Sequence, residues 1–197
     1  MKMAKKFLAV ALAGVLALSV LTGCGASVKS KDVADALTKM DIKVEQDKGV
    51  DATAKKTLDA IETLINSETN TGAGKITLGN AVGDEGKIID DTGFKTVAGV
   101  DNVKKALGMY AAGSDAEKAN ADKDKKQVRV ALVKTEDATK DASLQAAFVK
   151  DGLVTASESM SADKTMVEPG KLGTAKTSDG KYMLVVIVND VVAKANT

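Results

Sequence analysis

Ser161-Ala162-Asp163-Lys164 sets a hydroxyl three residues before an amine. On a helix that spacing brings two side chains to one face, and a lysine amine placed there can activate a serine oxygen as a nucleophile. A second basic and hydroxyl run, Lys176-Thr177-Ser178, begins twelve residues after Lys164. Asp84-Glu85 and Asp90-Asp91 are paired acids in a glycine-rich stretch, and hard cations such as Ca²⁺ favour clustered carboxylate oxygens. The remaining reactive group is Cys24, the single thiol of the chain, which follows Leu21-Thr22-Gly23.

Ser-x-x-Lys with a near Lys-Thr-Gly resembles the penicillin-recognising serine enzymes, and the resemblance implies Ser161 as nucleophile with Lys164 as its activating base. The chain departs from that pattern in three ways: the two motifs lie almost adjacent, no strong helix carries Ser161, and no Ser-Asp-Asn follows. The acid pairs lack the D-x-[DN]-x-[DN]-G spacing of a calcium loop, so a solvated loop is expected there. The glycines of residues 72–86 form neither G-x-G-x-x-G after a strand nor G-x-x-x-x-G-K-[ST], so no nucleotide site is expected. The alternating acids and lysines of residues 115–126 read as a surface that resists aggregation.

Composition narrows the chemistry further. Histidine is absent and cysteine occurs once, which removes Ser-His and Cys-His nucleophiles and the usual zinc ligand sets. No disulfide can form within the chain. Arg129 is the only arginine, so clusters of planar anion-binding forks are excluded. The reading from these residues is no catalytic site, no cofactor and no metal site. With no tryptophan, and only Phe94, Phe148, Tyr110 and Tyr182 as aromatics beyond residue 24, stacking platforms for sugars or bases are poorly supplied.

The N-terminus reads as an address. Residues 1–6 are basic, residues 7–20 are an apolar run with one serine, and small residues precede Cys24. That order is a secretory signal, too short for a comfortable membrane-spanning helix. Leu21-Thr22-Gly23-Cys24 resembles the lipobox of bacterial lipoproteins. The resemblance implies cleavage before Cys24 and lipidation of Cys24, which anchors the chain at the extracytoplasmic face of the cell membrane. A cut after residue 23 of 197 leaves 174 residues, enough for one domain. Losing Lys2, Lys5 and Lys6 takes the formal charge from +1 to −2. A nearly neutral chain of mixed sign is not suited to nucleic acid, so none is expected as a partner. The expected organisation is a signal peptide over 1–23, a lipidated tether over 24–31 and one α+β domain over 32–197.

Hydrophobic spacing supplies the elements of that domain. Val33, Ala36, Leu37 and Met40 share a helical face over residues 32–40. Asp51 can cap a helix over 52–66, with Leu58, Ile61, Leu64 and Ile65 inward. Asp101 can cap a third over 102–112, with Val103, Ala106, Leu107 and Tyr110 inward and Gly113 ending it. A fourth over 141–150 would turn Leu144, Ala147 and Phe148 inward. Strands are expected over 75–78, 128–133 and 153–157, and residues 42–45 can begin a strand or a loop. The clearest strands are 171–177 and 182–189, joined by a tight turn at Asp179-Gly180. Met183 to Val188 is apolar on both faces, so this strand should be central and covered on both sides.

Residues 57–78 (TLDAIETLINSETNTGAGKITL) and 173–188 (GTAKTSDGKYMLVVIV) together resemble the opening helix and closing hairpin of the CAP superfamily of cysteine-rich secretory and pathogenesis-related proteins. The resemblance implies an α/β sandwich associated with the cell wall. That family's two cation-binding histidines have no counterpart here, so it implies a degenerate copy and no site residue carries over. The fold class expected is α+β, with three or four helices on a mainly antiparallel sheet and a C-terminal β-hairpin. The function expected is a membrane-anchored surface lipoprotein acting as a non-enzymatic binding or interaction module, with a cell-wall or protein partner. A degenerate CAP-type domain and a Ser/Lys or carboxylate hydrolase are the alternatives.

Overall fold

The apolar run from Met183 to Val188 lies in the middle of a sheet with helices over both faces, as a strand apolar on both sides requires. The computed structural model describes residues 28–67, 78, 101–109, 125–135, 141–157 and 159–195. In chain order the described elements are α1 (Ser30–Thr38), β1 (Val44–Gln46), α2 (Lys48–Ile65), α3 (Asp101–Ala106), β2 (Lys126–Lys134), α4 (Ala142–Gly152), β3 (Val154–Thr155), β4 (Lys164–Met166), β5 (Gly170–Lys176) and β6 (Tyr182–Ala193). The strand order is β1-β5-β6-β2-β3, with β4 paired to the far end of β6. All pairings are antiparallel except β1 with β5. The architecture is α+β, as the sequence implies.

Alternation along β6 feeds two cores. Leu184 and Val186 join Val128, Val130 and Leu132 of β2 under α2 and α3, against Val50, Ala54, Leu58, Ile61, Val103 and Leu107. Met183, Val185 and Ile187 join Ala131 and Val133 on the opposite face, under Val33, Ala36 and Leu37 of α1 and Ala146 and Val149 of α4. Full burial of each large aliphatic side chain stabilises the fold by about 1.5–3 kcal/mol. In the absence of disulfides, this two-sided burial holds the layers together.

Helix boundaries follow local bonds. The first helix starts two residues before the expected position. Lys29 N–H donates to Asp32 Oδ2 at 3.0 Å, and Val28 is buried beside it. The second helix begins at Lys48, one turn before the expected start, and Asp47 caps it by accepting Val50 N–H at 3.0 Å. Asp51 is therefore inside the first turn. The cause is β1: Asp47 N–H is held by Leu172 O at 2.8 Å, so the chain turns into helix as soon as it leaves the sheet. The third helix stops earlier than expected. Gly108 has φ +72° and Met109 N–H returns to Lys104 O, so Gly108 rather than Gly113 terminates it. In α4, Gln145, Ala146, Val149 and Gly152 form the buried face, and Leu144 is exposed, contrary to expectation. Of the expected strand over 75–78 only Leu78 is described, and it lies in a turn; residues 75–77, the glycine-rich loops and most of the charged segment lie outside the described residues.

The hairpin between β5 and β6 has the expected position. Gly180 takes φ +69°, Gly180 N–H donates to Thr177 O, and Asp179 Oδ1 accepts from Thr177 Oγ1 at 2.6 Å and from Lys181 N–H at 2.9 Å.

Candidate functional site

β2 carries one charged side chain, Arg129, into the row that faces α1 and α4. Val128, Val130 and Leu132 occupy one face of the strand, so Gln127, Arg129, Ala131 and Val133 occupy the other. Ala131 and Val133 sit in the core. Gln127 and Arg129 continue the row toward the end of the sheet where β4 attaches, opposite Asn189 and Ile187.

Arg129 Nη2 donates to Asn189 Oδ1 at 3.0 Å, and Asn189 Nδ2 donates to Val167 O at 2.9 Å. Asn189 is buried, and its amide lies so close to Gly170 that a Cβ there would sit 2.7 Å from Nδ2. Beside this chain of bonds, Ser157 Oγ donates to Gln127 Oε1 at 3.1 Å and accepts Val128 N–H at 3.1 Å. Burial pushes the Arg129 pKa down, and the nearby Glu168 charge opposes that shift. Glu168 is itself paired with Lys43 at 2.9 Å. Arg129 Nε is buried with no hydrogen-bond partner among the described residues. The cluster joins β2, β6 and the chain entering β5 through one guanidinium. Its chemistry is donation to oxygen acceptors, with a fixed charge and no proton to transfer.

The two motifs singled out for serine chemistry are kept apart. Ser161 precedes β4 and Lys164 opens it, so neither is on a helix, and Lys164 N–H donates to Ser161 O at 3.0 Å. The Lys164 ammonium lies 3.3 Å from Asp163 Oδ2. Lys176 Nζ donates to Val28 O at 3.1 Å, and Thr177 serves the hairpin turn. Lys164 is opposite Ala193 and Lys176 is opposite Met183. Ten residues of β6 separate those positions, about 33 Å of strand. Asp84, Glu85, Asp90, Asp91 and Cys24 lie outside the described residues. Among the described residues no group of three or more His, Cys, Asp or Glu is arranged to hold a metal ion, and no helix is long and apolar enough to cross a membrane.

Sequence reading did not find the Arg129–Asn189 pair. The available signal was the use of arginine once in a chain that otherwise uses lysine, within a strand whose neighbours are apolar. Asn189 gave no signal, because its partner is sixty residues away. Comparison with protein-family models, with curated proteins and with solved structures finds no match to this chain.

Proposed function

We propose that this chain is a bacterial lipoprotein, anchored through Cys24 at the extracytoplasmic face of the membrane, whose α+β domain acts as a non-enzymatic binding or interaction module. The observation that carries the reading is Leu21-Thr22-Gly23-Cys24 closing a basic and then apolar leader, with Cys24 the only cysteine. Several acyl chains on one residue hold firmly where a single chain binds reversibly.

The placement of polar groups supports the non-enzymatic part. Lys164 pairs with Asp163, Lys176 ties down Val28, and Arg129 ties β2 to β6. The domain then presents a surface to a cell-wall or protein partner. The mass of the N-terminal peptide from membrane-purified protein tests the anchor: it should begin at Cys24 and carry diacylglyceryl, and an unmodified peptide spanning residue 24 would refute it. A serine-reactive probe tests the module. Labelling of Ser161 would favour the hydrolase alternative, and co-sedimentation with peptidoglycan would favour the cell-wall domain of CAP type.

A further inference from the structure

We propose that the domain stands on the membrane on its β5–β6 turn, with residues 178–181 against the lipid headgroups and β4 pointing away from the bilayer. The inference rests on the lipid-anchor reading of Cys24 and adds an orientation to it.

Chain length fixes which end is near the membrane. Four residue steps separate Cys24 from Val28, at most about 14 Å of extended chain. Val28 is buried, and its carbonyl accepts Lys176 Nζ at 3.1 Å, so the chain enters the domain beside the last residue of β5. The turn at residues 178–181 projects past that point. The opposite end of the sheet, where Lys164 of β4 meets Ala193, is about 33 Å further along β6. A tether this short cannot bring that end to the surface while Cys24 stays in the lipid.

Charge selects the turn over the flank of the domain. A domain tethered at Val28 could also lie on its side along α1. That flank sets Lys31 and Lys39 against Asp32 and Asp35, so it has no net charge, and Lys31 is already paired with Asp35 at 2.6 Å. Anionic headgroups gain nothing from such a surface. Among the described residues, the turn end gathers Lys29, Lys134, Lys176 and Lys181 against Asp179, which pairs with Lys181, and Asp141, which caps α4 where that helix starts. Lysines near an anionic leaflet are attracted to it within a screening length. The occupant of this end is therefore a bilayer surface containing anionic lipid.

The acylated Cys24 has no free thiol, so a cysteine placed elsewhere is the only labelling site in the full-length lipoprotein. Ser178→Cys in the turn, Lys39→Cys on the α1 flank and Thr165→Cys on β4 all replace exposed residues. Each labelled protein is reconstituted in vesicles of phosphatidylethanolamine and phosphatidylglycerol containing a headgroup-nitroxide lipid. The fluorophore at residue 178 should lose most of its emission, that at 39 less, and that at 165 almost none. Equal quenching at 178 and 165, or strongest quenching at 39, overturns the orientation while the anchor stands. Protein that reacts with thiol reagent at Cys24 and fails to bind vesicles overturns the anchor, and the orientation with it.

Discussion

Asp51 Oδ1 accepts the backbone N–H of Thr174 at 2.9 Å, a bond from the first turn of α2 to the open edge of β5. The same oxygen accepts Ser30 Oγ–H at 2.7 Å, and Oδ2 accepts Gln46 Nε2–H at 2.7 Å. Ser30 Oγ lies 2.7 Å from Thr174 Oγ1; with the Ser30 proton given to Asp51, the Thr174 hydroxyl is the donor. One carboxylate thus joins α1, β1, α2 and β5. It also occupies an edge N–H that could otherwise pair with a foreign strand.

Asp51→Ala should therefore cost about 2 kcal/mol, since three donors lose a charged acceptor and Thr174 N–H is part-buried. Asp59→Ala, on the same helix, removes only an exposed pair with Lys55 and should cost about 0.5 kcal/mol or less. Urea melts of the two variants check the difference. Equal midpoints would mean that the Asp51 bonds do not contribute to stability.

Gly173 gives a sharper steric test. A Cβ at this position would lie 2.1 Å from Val50 C and 2.2 Å from Asp51 N, both backbone atoms of α2. Gly173→Ala should destabilise by at least about 3 kcal/mol, because the helix must move off the sheet. Gly180→Ala, with open space around it but φ +69°, should cost about 1–2 kcal/mol from backbone strain alone. Thermal melts should place Gly173→Ala well below Gly180→Ala, and the reverse order would contradict the close contact of α2 with β5.

Val186 and Val192 lie on the same strand in different surroundings. Val186 is fully buried, whereas Val192 is 47% exposed. Val186→Asp buries an unpaired carboxylate and should cost several kcal/mol, a large part of the roughly 5–15 kcal/mol that stabilises a domain. Val192→Asp should stay within about 0.5 kcal/mol. Native stability for Val186→Asp in a urea titration would remove β6 from the centre of the fold.

The turn carries a pH dependence of known sign. The Thr177 hydroxyl and then the Lys181 backbone N–H hold the Asp179 pKa below the usual carboxylate value. A folded pKa below the unfolded one means that the contribution is present above the unfolded pKa and fades as pH falls through the folded one. The turn should thus tighten above about pH 4 and loosen in stronger acid. An NMR titration of the Asp179 carboxyl should give a midpoint below that of an unstructured peptide. A midpoint at or above the peptide value would contradict the Thr177 and Lys181 bonds.

Sequence patterns reveal those parts of the fold that depend on local spacing. The Met183–Val188 run and the Asp179-Gly180 turn define β6 and its hairpin without tertiary information. Val33, Leu58 and Val103 mark the inward faces of α1, α2 and α3 for the same reason. Boundaries depend on distant partners: Leu172 sets where α2 begins, through its bond to Asp47. Leu144 misled because it shares an apolar stripe with Phe148, which does pack against the core, and only contact with α1 and β2 turns Ala142, Ala146 and Val149 inward in place of Leu144. Asp51 looked like a helix cap because aspartate before a periodic run usually is one. The Arg129–Asn189 bond joins strands that are adjacent in the sheet but distant in the chain, so no spacing rule exposes it.

The lipid anchor is tested most directly by detergent-phase partitioning of the whole protein beside Cys24→Ala. The account predicts that wild type enters the detergent phase as a chain cut before Cys24. The variant should be released into the aqueous phase or persist as uncut precursor. A Cys24→Ala protein that is processed normally and partitions like wild type would contradict the lipoprotein reading.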